Sequence, residues 1–416
     1  MRGQREREEI LIAEVRRATL RNKPRRAAAV AAQAMVAFAA AEPETALLLL
    51  DESPLAGPPA AQARERLLSS LSGLIEDAHR RVPRKESLPD IPPRLACGVT
   101  SRMLASRLRQ NRAVEALSSE IGAWLARYES PLAKHRWSGL VSSPPADRSP
   151  FLPQSALLPP PAAAAAPAAI EASRPCAGAA QTTAENEWLR IAFATVHTVD
   201  RDGYQAATVG EIARQAGVDP RAMQATFAGK PQALAAAQEL LFRHLMAVAA
   251  GAFVAGDSWS SRLWEAARAL TQCAEQNAAL TRVSLLHPCV SDSLGGGLPQ
   301  DVTAAFTVFL REGAHTSSDG PPSAAPRSDT ELEAIITAIA DLAFQHVQAA
   351  PEAPLTDLLA RVVFLATAPF LGTAHAAELG ERGASERAAP TTTLHQRLLR
   401  AVGGRRLRNS RPATRQ

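Results

Sequence analysis

Aromatic residues are scarce in this chain, 4% of its residues with only two tyrosines, and cysteine is scarcer, with four in 416 residues. Cys97, Cys176, Cys273 and Cys289 share no Cys-x-x-Cys spacing and no histidine at ligand interval. That pattern excludes a zinc ribbon and a disulfide framework and reads as reduced thiols in a cytoplasm. His287, beside Pro288, and His346 read as core or partly exposed residues, because neither has a second histidine and a carboxylate at helical spacing, so no metal is expected. Also missing are a Gly-x-Ser-x-Gly elbow and a phosphate-cradling glycine loop; Gly295-Gly296-Gly297 has no Lys-Thr after it and reads as a loop. No catalytic residue, no cofactor and no enzyme activity are expected. The most apolar run, 27–41, is alanine-rich and short of the roughly 20 residues that cross a bilayer, and the charged first residues do not open a signal peptide. No membrane partner is expected.

Apolar residues at 46%, many of them alanine, predict an all-α protein long enough for two or three domains. Its formal charge of +5 is concentrated at the ends. Residues 1–26 hold nine Lys or Arg against four acids, and the last twenty hold Arg397, Arg400, Arg405, Arg406, Arg408, Arg411 and Arg415 with no acid. Such ends read as solvated, disordered tails, with sequence-independent attraction to DNA as the functional alternative. Nine prolines between 140 and 184, with alanine and serine, predict an extended linker that keeps the interiors of two folded units apart. Residues 315–330 read as a loop, and Gly380 onward as a tail.

Residues 188–234 carry the strongest signal. After Trp188, the apolar positions Leu189, Ile191, Ala192, Ala194 and Val196 fall at helical intervals until Asp200, Arg201, Asp202 and Gly203 stop the pattern. Tyr204 can fold its ring back on that helix. Thr208 is placed to cap a second helix that turns Val209, Ile212, Ala213 and Ala216 inward. Gly217 turns the chain, Val218 plugs the corner, and Asp219 and Pro220 make the N-cap and first position of a third helix, buried through Met223 and Phe227. The order is that of a helix-turn-helix.

In Gly203, Tyr204, Thr208, Val209, Ile212, Ala213, Ala216, Gly217, Val218, Phe227, Lys230 and Leu234, this stretch resembles the DNA-binding domain of TetR-family transcriptional regulators. The resemblance implies that helix 220–227 enters the major groove and that Lys230 opens the next helix beside a phosphate. The DNA-binding residues it implies are Thr208, Arg214, Asp219, Arg221, Ala222, Gln224, Ala225, Thr226 and Lys230. One departure stands out: the family usually flanks a polar residue here with aromatic or imidazole side chains, whereas this chain reads Met223-Gln224-Ala225-Thr226-Phe227. From Glu185 to Leu245, six basic residues face seven acidic ones, so counterion release offers the head little non-specific affinity.

The remainder reads as two related units. Segment 41–50 matches 276–285, each a polar break before a short buried helix, and 117–131 matches 355–369, with Trp124-Leu125 facing Val362-Val363 and Leu132 facing Phe370. Both closing segments resemble the last helix of a TetR-like ligand-binding and dimerisation domain, the first being more polar at Arg127, Tyr128 and Glu129. Residues 5–20 read as the connecting helix that follows a reading head, with no head before it. The expected architecture is therefore a TetR C-terminal-like domain at 1–139, a linker at 140–184, the helix-turn-helix at 185–235, a second C-terminal-like domain at 236–379 and a tail at 380–416. A fusion of two regulators, its first head lost or upstream of Met1, would give this order.

The expected function is a ligand-responsive regulator, a repressor by family habit, that binds double-stranded DNA in a bacterial cytoplasm. It would work as a homodimer or as an intrachain pseudo-dimer with one head. Helix 232–251, with Leu234, Leu241, Leu245 and Val248 on its packed face, would pass a small-molecule effector's signal to the head. Trp259, Trp264, Phe306, Phe309 and Phe344 read first as core and second as an effector cavity, so no ligand residue is assigned. The rival reading is a scaffold that binds a small molecule or protein and no longer reads DNA.

Overall fold

The computed structural model describes residues 2–50, 57–140, 179–254, 257–287, 300–316 and 328–385. Among them the protein is all-α, with one small sheet. Six helices build the first unit: α1 (Arg2–Arg21), α2 (Ala27–Ala41), α3 (Pro43–Leu50), α4 (Gly57–His79), α5 (Pro93–Arg109) and α6 (Leu117–Ala126). Alanine's high helix propensity carries α2, which buries nine of its fifteen residues. Between α4 and α5, β1 (Ser87–Pro89) pairs antiparallel with β2 (Glu129–Pro131), setting Leu88 opposite Ser130.

Next come α7 (Ala179–Asp202), α8 (Val209–Ala216) and α9 (Pro220–Thr226), then α10 (Lys230–Phe253), α11 (Trp259–Gln276), α12 (Ala278–Leu286), α13 (Gln300–Thr316), α14 (Asp329–Ala349), α15 (Leu359–Leu371) and α16 (Thr373–Ser385). The order α1–α6 parallels α10–α15. The kink at Glu42 between α2 and α3 has its counterpart at Asn277 between α11 and α12. Ser328 caps α14 by accepting a hydrogen bond from the Glu331 backbone N–H at 3.1 Å.

Instead of standing apart, the two units share one apolar core that runs from Leu11 through Trp124 and Tyr128 to Phe364 and Phe370. Helices α5 and α6 lie against α14. Tyr128 donates its hydroxyl hydrogen to the Leu365 carbonyl at 2.8 Å and lies near the Phe364 ring. At the centre is Asp341 of α14, fully buried, with one oxygen 2.9 Å from Arg102 Nε and the other 4.0 Å from an Arg94 nitrogen. Gly98 of α5 makes room for it, since a Cβ there would stand 2.1 Å from the carboxylate. Arg107 reaches Glu333 at 3.3 Å, and Arg127 reaches the buried Glu331 at 3.2 Å. Long-range charge pairing, which no local pattern encodes, overrides the expectation of separate interiors.

Other expectations change as well. The matched closing segments fold differently: 117–131 ends its helix at Ala126 and enters β2, whereas 355–369 starts as a 3-10 turn and continues as α15, with Pro369 inside it. Pairing of β2 with β1, and of Arg127 with Glu331, holds the first segment out of the helix. The expected linker contracts at both ends. Leu140 is buried and α7 already starts at Ala179, while 141–178 lie outside the described residues. Helix α16 occupies the start of the expected tail, because Gly380 lets it approach the Ala360 backbone; residues 386–416 lie outside the description. The basic N-terminal segment is not a tail but α1. In the expected loop 315–330, α13 extends to Thr316 and Ser328 caps α14, with 317–327 undescribed. Cys97 and Cys273 are buried free thiols, while Cys176, Cys289 and Gly295-Gly296-Gly297 fall outside the description.

Of the described helices, α10 is long and apolar enough to cross a membrane, with a mean hydropathy of 1.2 over eighteen residues and a third of that window buried. Here its Ala233, Leu234, Ala237 and Leu241 pack into the helix-turn-helix core.

Removing one partner from a buried ion cluster strands the others, so Asp341→Ala should cost on the order of 3 kcal/mol. Urea unfolding of the variant checks this, and an unchanged midpoint would refute the ionic lock.

Burial, with His135 nearby, holds His79 below its ordinary 6.5, at about 4. Its Nε2 has no hydrogen-bond partner among the described residues. Unfolded, the imidazole takes a proton as pH falls through 6.5, while the folded form refuses it until about 4. Stability should therefore drop between those values, and His79→Gln should flatten the drop. His244 and His287, also lowered by burial, act in the same sense. Melting curves across this range provide the measurement.

Candidate nucleic-acid interface

The head is built from local signals. Helix α7 buries Ile191, Ala192, Ala194, Val196 and Val199. It closes at Gly203, whose φ of 82° suits a residue without a Cβ. Thr208 Oγ1 accepts a hydrogen bond from the Glu211 N–H at 3.2 Å and starts α8, which points Ile212, Ala213 and Ala216 inward. At Gly217 φ is 65°, and the chain turns sharply into the next helix. Arg190 reaches from α7 to donate to the Gly217 carbonyl at 3.2 Å, bracing the corner. Asp219 accepts from the Arg221 N–H at 2.7 Å, Pro220 takes the first helical position, and α9 runs seven residues. A helix this short is not stable alone. Met223 and Phe227 anchor it in the core, where Phe227 meets the Trp188 ring at 5.6 Å between centroids.

Because Met223 is the buried residue of α9, Arg221, Gln224 and Ala225 are exposed, with Ala222 and Thr226 half-buried beside them. The side chains of Arg221 and Gln224 have no hydrogen-bond or ion-pair partner among the described residues. Thr226 donates its hydroxyl to the Ala222 carbonyl at 2.9 Å, so this group is engaged within the helix. Thr208 and Asp219 are exposed and spend their side-chain oxygens on caps. Arg214 is exposed but holds Glu211 at 2.5 Å, and Arg201 holds the same carboxylate at 3.0 Å. The bond from Arg214 leads the causes that lower the Glu211 carboxyl below its ordinary value. These pairings leave Arg221 as the cation presented by α9.

Lys230 differs from the expected phosphate anchor. Its ammonium donates to the carbonyls of Tyr204 and, at 2.8 Å, of Ala207, and it stands 4.2 Å from the centre of the Tyr204 ring. Burial lowers its pKa. The lysine closes the loop between α7 and α8 from below, a position that its place in the sequence does not reveal. Arg190 was missed altogether; its partner lies 27 residues away, and no spacing rule links the two.

The head also touches the second unit. Leu280 and Val283 of α12 enter its core. Arg282 pairs with Asp200 at 2.6 Å, and the His287 ring stands 5.8 Å from that of Tyr204. The aromatic set of that unit is packed: Trp259 is buried, donates to the Phe309 carbonyl at 2.9 Å and faces Phe370, while Phe344 lies under Arg102. Trp264, Phe306 and Phe309 are partly buried against the main core.

No protein-family model and no curated protein matches this chain. Among solved structures, the fatty acid degradation regulator FadR from Bacillus halodurans is similar at 20% identity, over 44% of this chain and 95% of that one, with a TM-score of 0.35. A TM-score at that level supports no inference about function.

Lys230→Ala should destabilise the protein by roughly 1 kcal/mol, as expected when the carbonyl partners of a half-buried ammonium are abandoned, while leaving the salt dependence of any DNA binding unchanged. Chemical denaturation and a salt titration check the two halves; a salt slope that falls by about one would restore the phosphate role.

Proposed function

We propose that this protein is a DNA-binding transcriptional regulator that reads base edges with α9, one reading head to each chain. The supporting observation is the presentation of α9: capped at Asp219, anchored by Met223 and Phe227, and displaying unpartnered Arg221 and Gln224. Arginine suits guanine O6 and N7, glutamine suits adenine N6 and N7, and Ala222 or Ala225 suits a thymine methyl. Thr208, Arg214 and Thr226 border that surface and would meet phosphates after exchanging their present partners.

Intrachain contact between α5, α6 and α14 supports a pseudo-dimer, because the faces that would pair two chains in a TetR-like bundle meet within one. A single head then reads one short site, and a palindrome requires two chains. Contacts from α12 to α7 give an effector in the second unit a route to the head, since moving Arg282 or Leu280 shifts the helix that supports α8. By the habit of the resembled family the DNA-bound form would repress, and a ligand that weakens DNA binding would relieve that repression.

Near-neutral charge in the head and the inward Lys230 favour the second reading, a scaffold that binds a small molecule or protein without reading DNA. Anisotropy titrations with promoter fragments separate the readings. A specific reader keeps its preference for one fragment as salt rises, whereas a scaffold shows none.

Arg221→Ala and Gln224→Ala should each relax the preference at one base position by about 1–3 kcal/mol. Competition between fragments differing at single positions measures this, and an unchanged ranking would remove α9 from recognition.

A further inference from the structure

Two basic runs that are far apart in sequence meet at one end of the first unit. The end of α1 carries Arg21 and the turn after it Lys23, Arg25 and Arg26, while the turn after α4 carries Arg80, Arg81, Arg84 and Lys85. The 3-10 turn Pro24–Arg26 lies against both α4 and β1, which joins the runs. Between them is an open hollow of about 310 Å³ lined by Lys23, Pro24, Arg25, Arg81, Val82, Pro83 and Glu86. Arg80 is paired with Asp77. The side chains of Lys23, Arg25, Arg26, Arg81, Arg84 and Lys85 are exposed and have no partner among the described residues.

We propose that this surface is a second, sequence-independent binding site for the phosphate backbone of duplex DNA. The inference rests on the one-headed reading above, because a head with six basic and seven acidic residues supplies little counterion release on its own. Six unpaired cations beside a single lining acid fit a uniformly charged polyanion. An acidic protein surface would present mixed groups, and a buried small-molecule phosphate site would need convergent enclosed donors, whereas these cations are exposed. Rigidity favours binding too. Pro24 begins the 3-10 turn and Pro83 stiffens the second run, so the cations stand on backbones with little freedom to lose. The apolar floor is fixed by Val82, which is buried.

The test is a salt titration of the full chain on a duplex that lacks any preferred fragment, comparing the wild type with Lys23→Ala, Arg25→Ala and Arg81→Ala combined. Three lost phosphate contacts should lower the slope of log K against log salt by about 2–3, while a charge-conserving set, Lys23→Arg, Arg25→Lys and Arg81→Lys, keeps it. An unchanged slope in the alanine set, or no duplex binding by the wild type, overturns the proposal. Displacement of the duplex by millimolar inorganic phosphate at constant ionic strength also overturns it and assigns the hollow to a small anion. Failure of the reading head is distinguishable: the wild type would then show no preference between fragments, while the slope difference from the alanine set would persist.

Discussion

A carboxylate in a protein interior is tolerated only where cations meet it, and Asp341 meets its cations across the boundary between two halves of the chain. Arg94 and Arg102 belong to α5, Asp341 to α14, and Gly98 leaves the gap into which the carboxylate fits. Neither half can leave without stranding charge away from water. The pairs Arg107–Glu333 and Arg127–Glu331 repeat the arrangement along the same boundary, and Tyr128, Phe364 and Trp137 fill it with rings. Among the described residues the architecture follows: a six-helix unit and a second unit whose α10–α15 repeat its order of elements and which α16 extends, closed on each other within one polypeptide, with a helix-turn-helix attached.

That arrangement shapes what the head can do. Its third helix is too short to persist unaided and owes its conformation to the Asp219 cap, the left-handed Gly217 before it and two apolar anchors. Its surface is polar with little net charge, because Glu211 absorbs Arg201 and Arg214 and the loop carbonyls absorb Lys230. Base discrimination by Arg221 and Gln224 is compatible with such a surface; strong general attraction is not. In this account specificity and affinity come from different parts of the molecule, the first from α9 and the second from cations elsewhere.

What the sequence made legible was local. Thr208, Gly217, Asp219 and Pro220 obey rules that operate within four residues, so the corner and both short helices could be placed before any coordinates. The kinks at Glu42 and Asn277 were legible for the same reason, each a polar break in an apolar run. Contacts over hundreds of residues were not. Asp341 carries no sign of Arg102, 239 residues away, and nothing near Pro24 announces Arg81. Likewise, the motif located Lys230 but not the direction of its ammonium, which the carbonyls of Tyr204 and Ala207 decide. The matched closing segments misled because similar apolar spacing hides different ends: one feeds a strand, the other continues a helix past Leu365.

Chemical protection of guanine N7 in a complex between the full chain and its preferred duplex tests the central claim most directly, because N7 lies in the major groove where α9 is proposed to sit. The account predicts one protected run of about four base pairs per bound chain, confined to that groove. Protection of adenine N3 in the minor groove with every guanine N7 left reactive, or two runs about one helical turn apart bound by a single chain, would contradict it.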